Sequence, residues 1–395
     1  MDLKYSNIDL VSASRDDIKA EIERLTSLMN IKKNEEQAIK IFINSCYGAT
    51  ASAYFVGFNI KVAEAITLQG QELIKFVQSI MNRYFSEFWY RDKELHTKLG
   101  LTRVERVIND VSVYGDTDSV YITFQEVVHG CDWIGTAEEL IHQIYKLRLK
   151  QYLDKNFAKF AEKSGTENIQ NLEFETLSYS AIFLKKKKYV MDKAWKTGKG
   201  DGIRYQPQSK IDAKGVEIVQ SSTPAFARKR LKDLLIILFQ ERNKLDLKKF
   251  VQRLKKEKEE FMLSDIEAIS MSSSINDYEK GIANDRDTFI INPNCPIHVR
   301  AAGYHNYLVH NSKWKNKYEL IKSGDKIRYY YAKSKGPAGQ NIFGYLPGNF
   351  PTEMAPEVDY DIQFAKCVIE PMNRFLNSMG IPSIPEELFV RTALF

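Results

Sequence analysis

Cysteine is scarce, with four residues in 395. Cys46, Cys131, Cys295 and Cys367 stand far apart in no paired spacing. That argues against a disulfide framework and for a reducing compartment. Long apolar runs are also missing. Leu234 to Phe239 is the longest notable stretch and is far too short to span a bilayer. The opening Met-Asp-Leu-Lys has no signal-peptide character. No internal repeat and no long low-complexity tract occurs. A soluble cytoplasmic protein without a membrane partner is expected. Nor is there an acidic excess: 57 Lys and Arg face 51 Asp and Glu, a net charge of +6 that permits a polyanionic partner without proving one. What is present suits a folded protein. The chain is long enough for two or three domains, and with 44% hydrophobic residues it can build a core.

The stretch Tyr114-Gly115-Asp116-Thr117-Asp118-Ser119-Val120-Tyr121 organises the rest. Val111, Val113, Val120, Ile122 and Phe124 flank it in a pattern that predicts a strand, a tight turn and a second strand. Two carboxylates then sit at a hairpin tip and repel unless a cation lies between them. Mg²⁺ takes hard oxygen ligands and is commonly held by one or two carboxylates plus substrate phosphates. The plainer reading of a bare Asp-x-Asp is a solvated turn.

Ahead of the hairpin, residues 14–47 read as helix, with Ser14 as N-cap, Asp16 and Asp17 in the first turn, and a break near Asn30. Lys40, Asn44 and Tyr47 stand at i, i+4 and i+7, so a cation, an amide and a phenol share one face. A ligand-facing stripe and a plain amphipathic surface both fit. Ala53 to Phe58 reads as strand-like and Val62 to Phe88 as a long helix. Gly70 inside that helix is costly and predicts close packing against a neighbour. After the hairpin, Ala137 to Lys163 reads as a basic amphipathic helix. Residues 172–190 read as strands and include Glu173, Glu175 and the run Lys185 to Lys188 before Tyr189. Four consecutive lysines entering a strand make sense facing phosphates. A loop region over 196–215 follows, then a short strand from Lys214 to Val219. Ser221-Ser222-Thr223-Pro224 is a sharp break and a helix start, and a helical pair is expected over 225–262. Lys313 to Lys335 is basic and aromatic. A late helix is expected over 362–379.

Three sites stand together: Lys-x₃-Asn-Ser-x-Tyr-Gly at 40–48, Tyr-Gly-Asp-Thr-Asp-Ser at 114–119, and Lys-Lys-Lys-Tyr at 186–189. Their order and spacing resemble those of the family B DNA polymerases. Ala65 to Gln71, Gln220 to Pro224 and Cys295 to Arg300 look like segments of the T-even-type phage replicative enzymes, and the likeness covers nearly the whole chain. It implies an α+β right-hand fragment with an antiparallel palm sheet. Residues 1–51 would be the C-terminal part of the fingers, 52–223 the palm, and 224–395 a mostly helical thumb with a clamp-binding tail. Carried over by motif, Asp118 and Asp116 would be the catalytic and metal-binding carboxylates, with Glu175 as an accessory one, for two Mg²⁺ ions. Lys40, Asn44, Tyr47 and Gly48 would border the incoming dNTP. Lys186, Lys187, Lys188, Tyr189 and Lys214 would face the primer–template DNA. Leu394 and Phe395, with Leu388-Phe389 as a second candidate, would reach a sliding clamp.

One departure matters. The family's first palm motif, an Asp followed shortly by Ser-Leu-Tyr-Pro-Ser, is absent, as are the exonuclease Asp-x-Glu and the first fingers helix. The chain starts with Met inside the fingers. The expectation is therefore the C-terminal subunit of a split polymerase, active when an N-terminal chain brings the exonuclease and the first palm motif. An inactive, polymerase-derived DNA-binding or scaffold subunit is the alternative, and the retained Lys40, Asn44, Tyr47, Asp116 and Asp118 argue against it. Cys295, His298, His305 and His310 have a loosely zinc-like spacing, but the same stretch matches a thumb segment that needs no metal.

Overall fold

The computed structural model describes residues 12–390 except 199–201, 286–287, 293 and 337. The chain divides into two compact units, residues 1–134 and 135–395.

The first unit opens with helix α1 (Arg15–Thr50), whose 36 residues make it about 54 Å long at ~1.5 Å per residue. Ser14 caps it: the Ser14 hydroxyl accepts from the Asp17 N–H, and the Asp17 carboxylate accepts from the Ser14 N–H, both at 3.2 Å. The hydrogen bonds from Ser14 hold the Asp17 carboxyl below its ordinary value. The break expected near Asn30 does not occur. No Gly or Pro lies between Arg15 and Tyr47, and an Asn alone costs a helix too little to stop it. Residues 53–58 form turns rather than a strand. The Asn59 N–H donates to the Thr50 carbonyl at 2.9 Å and closes the loop, while Phe58 N–H turns back to Phe55.

Helix α2 (Ile60–Arg83) starts on an Asn59 cap. A side chain at Gly70 would meet open space among the described residues, so the expected close packing there is not found. The chain then tightens through a wide helical turn, Tyr84–Phe88, and a short turn, Trp89–Arg91. Tyr84, Phe85 and Trp89 build the core of this unit with Leu95 and Leu99 of helix α3 (Lys93–Leu99). Phe85 meets Tyr84 and Phe124 edge-on at 5.1 and 5.5 Å. Strands β1 (Ser112–Asp116) and β2 (Ser119–Ile122) form the expected antiparallel hairpin, and helix α4 (Gln125–His129) follows.

The second unit begins with helix α5 (Ala137–Ile144), capped by Thr136 and Glu139. It runs through a wide turn, Tyr145–Leu149, into α6 (Lys150–Lys163). The sheet comes next: β3 (Thr176–Lys185), β4 (Lys188–Lys196), β5 (Ile203–Arg204) and β6 (Ile211–Lys214), with β4 pairing antiparallel to all three others. The strand expected from Lys214 ends there instead. Gly215 takes φ +65°, and Glu217–Val219 form a single tight turn.

Helices α7 (Ala225–Glu241) and α8 (Leu247–Met262) are the expected pair. Beyond them lie α9 (Ile266–Ile269), β7 (Met271–Ser274), α10 (Tyr278–Gly281), the hairpin β8 (Ile282–Asp285) and β9 (Thr288–Ile291), and α11 (Ile297–His310). Strands β10 (Lys326–Tyr331) and β11 (Ile342–Tyr345) form an antiparallel sheet with β7. The last long helix is α12 (Tyr360–Phe364), a wide turn and α13 (Glu370–Ser378). One apolar core joins Ile182, Val190 and Val216 to Leu231, Leu235 and Leu238 of α7, Phe261 of α8, Tyr330, Phe343, Phe364 and Phe375. This core has members on both sides of residue 223. Among the described residues, no helix is long and apolar enough to cross a membrane.

Candidate active site

The hairpin is built from its register outward. Tyr114 faces Tyr121, Gly115 faces Val120 and Asp116 faces Ser119, so Thr117 and Asp118 alone make the turn. The Asp118 N–H and the Ser119 hydroxyl both donate to the Asp116 carbonyl, at 2.5 and 3.1 Å. This tight closure puts Thr117 at φ +52°, a region that β-branched residues seldom occupy. The Thr117 hydroxyl then donates to Asp116 Oδ1 at 3.1 Å. Asp116 is 4% exposed, whereas Asp118 stands in solvent. One carboxylate is thus buried and held, and the other is presented.

Helix α2 seats the hairpin. Asn82 Oδ1 accepts from the Ser112 N–H at 2.9 Å. A Cβ at Gly115 would lie 2.9 Å from Gln78 Nε2 and 3.3 Å from Ile74 Cγ2, so the strand approaches the helix as closely as a glycine allows. The two carboxylates are hard oxygen donors of the kind Mg²⁺ favours. Among the described residues, no three His, Cys, Asp or Glu side chains come together as a metal site. That holds for the zinc-like residues too. His305 Nε2 lies 3.0 Å from the Glu319 carbonyl oxygen, and burial lowers its pKa. Cys295 is a buried thiol whose pKa burial raises.

Lys40, Asn44 and Tyr47 lie along α1, all exposed. Lys40 Nζ pairs with Glu36 Oε1 at 2.6 Å, both side chains being more than 60% exposed; such a surface pair is easily exchanged for another anion. Among the described residues outside its own helix turn, nothing lies within 4 Å of where a Cβ at Gly48 would stand.

In the second unit, β3 and β4 close with Lys185 facing Lys188, which leaves Lys186 and Lys187 at the tip and Lys187 at φ +62°. Lys185, Lys186 and Lys187 are exposed, while Tyr189 is buried against Phe183. Lys214 faces Tyr189 across the strands, its Nζ 6.0 Å from the ring centre. Gly215 fixes this tip from below, since a Cβ there would come within 2.2 Å of the Lys187 carbonyl oxygen. Glu175 is exposed just before β3, and its carbonyl accepts from the Thr197 N–H at 2.8 Å. Phe174 beside it stacks on Trp195 at 5.1 Å, and His142 meets Trp195 edge-on at 4.6 Å.

Each polar site therefore stands on its own element, and the sequence that carries them has counterparts among known proteins. The description of DNA polymerase family B matches residues 8–379. The chain belongs to DNA polymerase family B. It is 22% identical over 399 residues to the DNA-directed DNA polymerase of Escherichia phage RB69, a match covering 92% of this chain and 40% of that protein. Against the enzyme of Enterobacteria phage T4 the identity is 23% over 381 residues, 91% of this chain and 38% of that one. The DNA polymerase catalytic subunit of human herpesvirus 6B is 27% identical over 233 residues, 58% of this chain and 19% of the subunit. The chain spans about two fifths of the length of the phage relatives.

Some structural partners of these residues were not legible beforehand. Asn82, Gln78 and Gly115 seat the first hairpin, and Gly215 seats the second. The only sequence signals were a glycine inside a strand and a glycine after one, which mark close backbone approach. Leu394 and Phe395 lie outside the described residues. Leu388 is exposed, but Phe389 is buried against Phe364.

Proposed function

We propose that the chain is the C-terminal part of a DNA-directed DNA polymerase that carries out template-dependent nucleotidyl transfer. The observation that carries this is the Asp116–Asp118 hairpin within a family match spanning residues 8–379. In this reading residues 1–51 serve as fingers, 52–223 as palm and 224–395 as thumb. Asp118 and Asp116 would hold divalent metal, and Glu175 is read by its motif alone as an accessory carboxylate. When bound, the metal pair supplies charge neutralisation for the attacking and leaving oxygens. The chain's own residues do the rest. Asp116, fixed by Thr117 and by burial, keeps the hairpin tip in one geometry. Lys40 releases Glu36 for the triphosphate, and Asn44, Tyr47 and Gly48 border the nucleotide. Lys186, Lys187, Lys188 and Lys214, with Tyr189 beneath, meet the primer–template backbone without reading sequence. Phosphoryl transfer asks mainly for such positioning.

Two carboxylates from one hairpin cannot hold two metal ions together with substrate. We propose that the missing aspartate comes from a second polypeptide carrying the first palm motif and the exonuclease, and that Leu394 and Phe395 engage a sliding clamp. The exposed apolar residues of α1 and α2 support a covering partner: Ile39, Ile41, Phe42, Ile43, Ile66 and Leu68 are each more than half exposed. The test is primer extension. The assembled pair should extend a primer and the isolated chain should not; robust extension by the chain alone ends the two-chain reading. Asp118→Ala in the assembly should lower extension to background while DNA binding persists. Retained extension removes Asp118 from the site.

A further inference from the structure

A second basic site lies far along the chain from the lysine hairpin, in the turn that follows α11. Trp314 is only partly buried there, so one part of its indole is open to solvent. Two lysines lie on it. Lys313 Nζ is 4.9 Å and Lys317 Nζ 5.3 Å from the indole, within the range of a cation–π contact. The turn is rigid. The Ser312 hydroxyl accepts from the Trp314 N–H at 3.2 Å, and the N–H groups of Lys317 and Tyr318 both return to the Trp314 carbonyl, at 2.8 and 3.2 Å. Tyr318 is 5% exposed and anchors the turn through its hydroxyl to Glu353. Lys317 shares that carboxylate. Lys313 and Lys315 are exposed, and no carboxylate among the described residues pairs with either.

We propose that this turn, Lys313-Trp314-Lys315 with Lys317, is a contact for the phosphodiester backbone of DNA, separate from the lysine hairpin. The chemistry is specific. A free lysine loses much of its side-chain freedom when it grips a phosphate. The indole holds Lys313 and Lys317 in place beforehand, so that cost is reduced. Lys315 adds an unneutralised charge between them. An aromatic ring interleaved with cations also suits an unpaired strand, whose bases can stack on it. Duplex and single strand offer the same phosphates, and the test separates them. The proposal rests on the chain acting on DNA.

The experiment measures binding of the full chain to a labelled duplex and to the same oligonucleotide single-stranded, across a series of salt concentrations. Removing one lysine–phosphate pairing lowers the slope of log K against log salt by about 0.9 for duplex or about 0.7 for a single strand. The double variant Lys313→Gln/Lys315→Gln should lower the slope by one to two such steps on the form of DNA the turn grips. Trp314→Leu should weaken binding by about three- to tenfold with the slope unchanged. Both variants alter partly or fully exposed positions, and an unchanged thermal midpoint verifies the fold. An unchanged slope in the double variant, with wild-type chain binding DNA, overturns the proposal and leaves the polymerase reading standing. Failure of the wild-type chain to bind either DNA at low salt overturns both.

Discussion

Gly215 shows how much one residue can decide. It sits at φ +65°, and any Cβ would press on the Lys187 carbonyl at 2.2 Å. Gly215→Ala combines left-handed strain with a backbone clash, so a loss of about 2–3 kcal/mol in unfolding free energy is expected from chemical denaturation. DNA affinity should fall with it, because the lysine tip must lift. His305 gives the pH counterpart. It is 1% exposed, and burial depresses its pKa below the ordinary 6.5. The unfolded chain therefore takes up a proton near pH 6.5 that the folded chain refuses. Stability is full above that value and declines as pH falls below it, by at most about 1.4 kcal/mol per pH unit for this group. Thermal midpoints measured from pH 7 to 5 should fall in the wild type, and less steeply in His305→Gln. Motif residues were legible in the sequence because chemistry fixes their spacing. Gly215, Asn82 and Gln78 were not, because their roles come from what the fold lays against them.

At the level of elements, the seat of the first hairpin on α2 depends on one side-chain hydrogen bond and one close backbone approach. Asn82→Ala leaves the half-buried Ser112 N–H without its 2.9 Å acceptor, a cost of about 1 kcal/mol. In the assembled enzyme this should lower kcat more than it changes the KM for nucleotide, since the carboxylates lose their fixed placing while the α1 stripe is untouched. Equal change in both constants would point to general loosening. The helices α7 and α8, the late helix and the first hairpin followed from periodicity and from Pro224, because those signals are local. The turns at 53–58 and the early end of β6 did not. Ala53 to Phe58 has strand-like residues, and local hydrogen bonds, Phe55 to Ser52, Phe58 to Phe55 and Asn59 to Thr50, make them a loop. The unbroken α1 shows the same limit in reverse, since an Asn in mid-helix resembles a stop and is not one.

At the scale of the whole molecule, apolar residues are distributed very unevenly. Leu231, Leu234, Leu235 and Leu238 of α7 are fully buried, while Ile39, Ile41, Phe42 and Ile43 of α1 are 56–69% exposed. Leu238→Ala should cost about 2–5 kcal/mol by leaving a cavity, whereas Ile41→Ala should change stability by less than ~0.5 kcal/mol. The family and its α+β class were legible across this scale because several motifs had to agree in order. The division into units at 134 and 135 was not, since no composition shift marks it. The contrast between the two helices has a practical result. A helix without a core beneath it opens in short segments, so its amides exchange with solvent quickly, while those of a buried helix wait for global unfolding. Deuterium uptake on a single sample thus carries its own scale. Amides of α7 mark one end, amides of α1 mark the other, and any molecule that covers Ile39 to Ile43 is registered as slowing of the second set alone.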